Sequence, residues 1–268
     1  MNRALLVGIN NYPSSLLSGC INDIQDMADF LVKHCNFEMS DIRLLADERA
    51  TKKGIIDRLG WLLNGLHKGD RVLFHYSGHG VQLPTRNPQG EVDGLDEAIC
   101  PVDFDWTDKH TVRDKDFNKL FSNIPVGVEF IWISDSCHSG DLSRDMESYS
   151  KSIKTMIPPV DINWRLQTAK KANITATGMN RTAAGLNLAL ISGCKSHQSS
   201  ADAVFDNRPN GALTYFLLQE LHKENGLSLP LSKVVKKVNS MLQNEGFEQA
   251  PQLEGNSEIK ARPFLFAG

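Results

Sequence analysis

The sequence predicts an α/β fold, a largely parallel sheet with helices on both faces, and three observations carry that prediction. Near-continuous apolar runs of strand length alternate with longer segments of helical periodicity, the pattern of strands covered on both sides. Hydrophobic residues make up 41% of the 268 positions and charged residues 23%, enough apolar material for a full core. Three polar motifs, "YSGHG", "SDSCHSG" and "SGCKSHQSSAD", each directly follow an apolar run. Open α/β sheets place their functional crevice at such carboxyl ends of strands.

The elements follow in order. "ALLVGIN" (4–10) reads as a first buried strand, followed by a helix over 19–34 in which Ile21, Ile24, Met27, Ala28 and Leu31 recur at helical spacing. "IRLLAD" (42–47) is a second strand and "KKGIIDRLGWLLNGL" (52–66) a second helix. "RVLFHYS" (71–77) is β-branched and aromatic, a third strand ending in the glycines of "GHG". Residues 81–110, with Pro, Gly and many acids, read as loop. A short helix in "DKDFNKLFSNI" precedes a fourth strand over 127–135, and "LNLALISGC" (186–194) is a fifth. Helical patterns around 211–224 and 230–245 follow, and a sixth strand is expected near "QAPQLEGN". Residues 141–185 show no clear periodicity and are rich in Ser, Thr, Lys and Arg, so they read as a long flexible connection.

Composition excludes several classes. A net charge of -3 argues against nucleic acid or an anionic membrane as the main partner. No apolar stretch approaches the ~20 residues of a bilayer span, and the start lacks a small-residue cleavage site. Five dispersed cysteines without CxxC spacing suggest reduced thiols and a cytoplasmic setting. "HYSGH" offers two histidines four apart with no second ligand pair, so zinc is not expected.

The chemistry concentrates at two strand ends. Adjacent residues of a strand point to opposite faces, so His138 is badly placed to activate its neighbour Cys137. Asp135 shares the face of Cys137, and Ser77 that of His79. If the third and fourth strands are neighbours, His79 and Cys137 meet across the top of the sheet and form the dyad. Only a thiolate attacks well, and an imidazole can take the thiol proton and later protonate a leaving amine. The glycines beside His79 allow close backbone approach, which makes the amides of Gly80 and Cys137 candidates for stabilising an oxyanion. Taken singly, a cysteine after an apolar strand is an ordinary buried side chain, and His75, His138 and His197 keep a structural reading.

These residues carry a resemblance. "LLSGCINDIQDMADFL", "YSGHG", "DSCHSG", "LISGCKSHQSSADA" and "NGALTYFLLQEL", in this order and across nearly the whole chain, resemble the metacaspases of the caspase-like cysteine peptidase clan. Length points to the compact metacaspase-like, orthocaspase-type enzymes of prokaryotes. The caspase motif QAC-[RQG]-G is absent. The resemblance implies a caspase-like three-layer sandwich around a six-stranded, mostly parallel sheet, in a single domain over 1–268. Within it, 1–140 corresponds to a large-subunit-like part, 141–185 to a processing loop and 186–268 to a small-subunit-like part.

It further implies an endopeptidase that cleaves after Arg or Lys through a Cys137 thioester, with His79 as acid and base. Its pocket for the basic side chain falls on Cys20, Asp23, Ser77 and Asp135. Two carboxylates in a partly dry pocket suit a guanidinium or ammonium and repel an aspartate. By position alone Asp23 reads as a helix-face or first-turn acid. Asp202 is a candidate for shaping the cleft. Self-cleavage is expected at a basic residue of the loop, among Arg144, Lys151, Lys154, Arg165, Lys170, Lys171 and Arg181.

No cofactor is needed for this chemistry, although many metacaspases use calcium. The acids available for it are Glu91, Asp93, Asp96, Glu97, Asp114, Asp116, Asp141 and Asp145, with Lys115 standing where an adjacent aspartate pair is expected. The expected partners are polypeptide substrates with a basic residue before the scissile bond, and a monomer is expected. Two other readings stay open: a catalytically silent caspase-like scaffold, and a thiol hydrolase or acyltransferase acting on small amides.

Overall fold

The structure, a computed structural model, describes residues 1–86, 92–138, 151–171, 186–195 and 198–265, together with 176, 177, 179 and 183. Its centre is a six-stranded sheet: β1 (Asn2–Gly8), β2 (Ile42–Ala46), β3 (Arg71–Ser77), β4 (Glu129–Asp135), β5 (Ala189–Ser192) and β6 (Gln252–Gly255). They lie side by side in the order β6-β5-β4-β3-β1-β2. All neighbours are parallel except β6, which runs antiparallel to β5. The caspase-like three-layer α/β sandwich expected from the sequence is the observed architecture.

Strand alternation divides the core into two apolar layers. Leu5, Val7, Phe74, Phe130 and Trp132 face one side, together with Ile55, Leu59 and Leu62 of α2 (Lys52–Leu63) and Phe117 and Phe121 of α3 (Asp114–Phe121). Ala4, Leu6, Leu73, Ile131 and Ile133 face the other, under α1 (Cys20–His34). Thr51 caps α2, its hydroxyl accepting the Gly54 N–H at 3.1 Å. The chain leaves β1 for β2 on one side and reaches β3 on the other. The resulting crevice at the carboxyl ends of β1 and β3 is the switch point of the sheet. Among the described residues no helix is long and apolar enough to cross a membrane.

Two expectations need correction. The stretch 81–110 is not all loop: Gly80–Arg86 and Val92–Ile99 form an antiparallel hairpin. Pro84 is tolerated there because, among the described residues, its strand pairs on the second side only at Gly80. The described part of 141–185 is also ordered. Lys151–Ile153 is a strand added antiparallel to Ala201–Phe205, and α4 (Val160–Lys171) is a helix. The apolar stripe of α4 is only Ile162, Leu166 and Ala169, docked on Leu95, so its helical period is faint in the sequence. After Asn225 the chain forms the remaining long helix, Leu231–Asn244, which with Ala212–Leu221 covers the α1 side of the sheet.

Candidate active site

Ser77 and Asp135 end β3 and β4 and stand directly opposite each other in the parallel register. His79 and Cys137 each follow two residues later, so the adjacency of these strands brings the two predicted residues to one crevice. Two tyrosines fix the His79 loop. The His79 N–H donates to the Tyr12 hydroxyl at 3.0 Å, and the Tyr76 hydroxyl donates to the His79 carbonyl at 2.7 Å. The Tyr12 and His79 rings are in contact at 4.6 Å between centroids, tilted 53° to each other.

The His79 ring has a defined tautomer. Its Nε2 lies 2.8 Å from the carbonyl oxygen of Ser15, which only accepts, so Nε2 carries the hydrogen. Nδ1 is buried, has no hydrogen-bond partner among the described residues and is left as the basic nitrogen. Burial lowers the ring to about 4, against the pull of the Ser15 carbonyl and with the Lys154 ammonium adding to the fall. The imidazole is therefore neutral near pH 7. The Cys137 thiol donates to the Gln198 carbonyl at 2.9 Å.

An internal segment runs through this crevice. The carbonyl oxygen of Lys154 accepts two backbone N–H groups, from Gly80 at 3.0 Å and Cys137 at 3.1 Å. The Lys154 N–H donates to the Ser200 carbonyl at 3.0 Å, continuing the pairing of Lys151–Ile153 with Ala201–Ala203. On the other side of the bond, the Thr155 hydroxyl donates to the Gly80 carbonyl at 3.0 Å. Gly80 has to be glycine, since a Cβ there would stand 2.6 Å from the Cys137 carbonyl and 2.6 Å from His138 Nδ1.

The Lys154 side chain fills a closed acidic pocket. Nζ lies 2.8 Å from Ser77 Oγ, 3.2 Å from Asp135 Oδ1 and 3.3 Å from Asp23 Oδ2, and all four residues have no exposed surface. The pocket orders its own carboxylates. Asp23 accepts from Ser77 Oγ at 2.6 Å, Asn210 Nδ2 at 3.0 Å and the Gly211 N–H at 2.9 Å. Asp135 accepts from the Thr214 N–H at 3.0 Å, the Thr214 hydroxyl at 2.8 Å and the Ser200 hydroxyl at 2.9 Å. Gly211 starts the helix Ala212–Leu221, so two of these donors are amides of one helix N-terminus. A Cβ on Gly211 would lie 2.1 Å from Lys154 Nζ, so the pocket wall must be bare backbone.

The two carboxylates are not equivalent. Burial pushes Asp23 up to about 6, against the ammonium of Lys154 and with the charge of Asp135 adding to the rise. Burial also opposes ionisation of Asp135, but Lys154 and the bonds from Thr214 and Ser200 outweigh it and hold that carboxyl below its usual range. Burial likewise works against the charge of Lys154, yet Asp135, Cys20 and Asp23 keep it above the usual lysine range. Cys20 lies beside Ser77, Asp23 and Lys154, its thiol held well above its usual range by burial.

The other candidates take structural places. Asp202 accepts the N–H groups of Ser18 at 2.7 Å and Gly19 at 3.0 Å, tying the entry to α1 onto the strand that pairs with Lys151–Ile153. His75 is buried against Thr214 Oγ1 at 3.2 Å, and burial lowers it to about 3. His138 is buried under Gly80. His197 lies outside the described residues. Sequence reasoning missed Ser200, Asn210, Gly211 and Thr214 as pocket builders. They sit inside the motifs "QSSADA" and "NGALT" that were singled out, but nothing in small polar residues announces a carboxylate partner.

The acids considered for calcium do not form a cage in the described region. Asp96 is bonded by Arg113 Nη1 at 2.9 Å and paired with Lys115 Nζ at 2.8 Å, so two cations already meet it. Glu97 accepts the Met179 N–H at 2.8 Å, and Asp116 accepts the Arg113 N–H at 3.0 Å. Burial, then the charge of Asp96, raises Asp114 to about 7, which weakens it further as a ligand. Among the described residues no group of three or more His, Cys, Asp or Glu is arranged to hold a metal ion. Glu91, Asp141, Asp145 and the side chain of Asp93 lie outside the described residues.

Residues 2–145 match the family model described as metacaspase, peptidase C14 domain. The chain is 30% identical to a metacaspase-1 of Meyerozyma guilliermondii, with 95% of this chain and 69% of that one aligned. It is 31% identical to a metacaspase-2 of Trypanosoma brucei brucei, over 96% of this chain and 74% of that one. A crystal structure of a protein from Geobacter sulfurreducens superposes with a TM-score of 0.71 at 26% identity, covering 99% of this chain and 98% of that one. Cysteine and histidine at one crevice, in a chain that aligns with these relatives over nearly its full length, agree with the family match: the chain belongs to the metacaspases, a family of cysteine peptidases.

Proposed function

We propose that this cysteine peptidase is an endopeptidase specific for Arg or Lys before the scissile bond, and that its first substrate is its own Lys154–Thr155 bond. The observation that carries the reading is the posture of Lys154. Its side chain sits between two carboxylates, its carbonyl oxygen meets two converging amides, and its N–H continues a strand pairing. That is the posture a substrate adopts in a peptidase cleft.

In this reading Cys137 Sγ attacks the carbonyl carbon of Lys154 while its proton passes to Nδ1 of His79. The N–H groups of Gly80 and Cys137 stabilise the oxyanion, a term worth about 2.7–4 kcal/mol per donor. His79 then protonates the nitrogen of Thr155, which leaves as an amine, and Lys154 remains as a thioester. Water, deprotonated by the same imidazole, hydrolyses it. Ser15 holds the ring with Nδ1 inward, which supports this proton path. In this reading no step needs calcium, and Arg113 and Lys115 already meet Asp96 among the described acids. Equal activity with chelator and with added calcium is the expected outcome, and a rise on calcium addition overturns that part.

The test compares the wild type with Cys137→Ala. Intact mass should find the wild type cut between 154 and 155 and the variant whole. Peptides ending in Arg or Lys should be turned over by the wild type and matched Asp peptides should not. Cleavage elsewhere in 141–185 would move the site. No turnover of any peptide would favour the scaffold reading.

A further inference from the structure

Cys194 lies two residues beyond Ser192 of β5 and Cys137 three beyond its register partner Ser134 of β4, so the two follow adjacent parallel strands one residue out of register. Both thiols donate to one acceptor, the Gln198 carbonyl oxygen, at 2.9 Å from Cys137 Sγ and 3.1 Å from Cys194 Sγ. That acceptor is held firmly, because the Gln198 side chain accepts from the Lys195 and Ala250 N–H groups and donates to the Glu248 carbonyl at 2.6 Å. The thiols also touch each other. The hydrogen bond to Cys137, followed by burial, pushes Cys194 well above its usual range. A strand spacing of ~4.8 Å combined with a one-residue offset of ~3.3 Å gives a Cα separation of ~5.8 Å, within the ~4.4–6.8 Å that a disulfide accepts.

We infer that Cys194 is a resolving cysteine: hydroperoxides oxidise Cys137, and Cys194 closes a reversible disulfide onto it. The inference rests on the proposed role of Cys137 as the reactive thiol. The Cys137 thiolate attacks one oxygen of the hydroperoxide, giving a sulfenic acid and releasing the other oxygen as hydroxide or alkoxide. The Cys194 sulfur then attacks the sulfenic sulfur. The S–O bond breaks, the hydroxyl leaves as water with the Cys194 proton, and a Cys137–Cys194 bond forms. Two electrons have passed from the thiols to the peroxide. The nucleophile is silenced but spared the irreversible sulfinic stage.

The experiment treats full-length wild type and Cys194→Ser with excess hydrogen peroxide and maps their peptides without reduction. In the wild type the Cys137 peptide should be joined to the Cys194 peptide with loss of two hydrogens, and a thiol reductant should restore all turnover. Cys194→Ser keeps a hydroxyl for the Gln198 carbonyl. It should lose turnover to peroxide, gain two oxygens at Cys137 and recover nothing on reduction. Oxygen gained at Cys137 of the wild type with no joined peptide overturns the inference, as does equal recovery of the two proteins. The joined peptide is read by mass alone, so a chain that forms it yet cleaves no peptide refutes the proposed endopeptidase and leaves this inference standing.

Discussion

The two sides of the Lys154–Thr155 bond are held by different physics. Before the bond, Lys151–Ile153 is anchored by strand pairing and Lys154 by its charge and backbone; Ser152 is exposed and Ile153 half-buried. After it, Met156 is buried in the same apolar layer as Phe74 and Trp132, and α4 follows with Leu166 and Ala169 packed on Leu95. Any extended peptide with a basic side chain can reproduce the first set of contacts. The second set belongs to the core. A cut at this bond thus frees an exchangeable side and leaves a structural side in place.

The largest effects test whether the bond is a substrate at all. Cys137→Ala should abolish self-cleavage and peptide turnover, read by intact mass and a fluorogenic assay. His79→Ala should lower kcat/KM by about 10²–10⁴-fold, since general acid–base catalysis is lost while the pocket remains. Turnover within a few-fold of wild type would remove His79 from the reaction.

The next effects weigh the two sides. In an uncut Cys137→Ala background, Lys154→Met leaves two buried carboxylates without their cation and should cost about 3–5 kcal/mol in urea unfolding. Leu166→Ala should cost about 2–5 kcal/mol by cavity formation. The contrast sharpens in the cut enzyme, where hydrogen exchange should show α4 still protected and 151–154 released. Loss of protection in α4 as well would erase the difference between the sides.

A smaller effect separates pocket from dyad by pH. Asp23 takes up a proton as pH falls through about 6, so the pocket loses one of its two charges and KM for a basic peptide should rise. His79 remains neutral down to about 4, so kcat should change little over the same interval. Stability has its own dependence. His79 and His75 have folded values of about 4 and about 3, below the ~6.5 of an unfolded histidine. The unfolded chain therefore binds more protons in that window, and these two residues make stability fall as pH drops below ~6.5. Smallest of all, Trp164→Ala on α4, at a residue that is 68% exposed, should stay within about 0.5 kcal/mol of wild type.

How much of this was readable in advance differs by element. The strands carrying Ser77 and Asp135 announce themselves because burial on both faces demands continuous apolar runs, and the polar motifs then mark their ends. His79 and Cys137 followed from one assumption, that these strands are neighbours. Lys154 was one of seven basic residues in a stretch without period. What singles it out is Gly80, Cys137 and Ser200, which are far away in sequence. Ser200, Asn210 and Thr214 were invisible for a related reason, since their worth lies in aiming a hydrogen at a buried carboxylate. The hairpin at 80–99 was hidden by Pro84 and by acids that look like loop residues until Arg113 and Lys115 meet them.

The tether behind Lys154 has a kinetic consequence. Because the lysine arrives on the same polypeptide, its effective concentration at the pocket is set by chain geometry, on the order of millimolar for a short connection. Dilution does not lower it, so the first cut should follow first-order kinetics at every protein concentration. Until that cut, a foreign peptide has to outcompete a ligand that cannot diffuse away. Under the proposed self-cleavage, the covalent bond between Lys154 and Thr155 would act as a clock, which each molecule reads for itself before it turns to other chains.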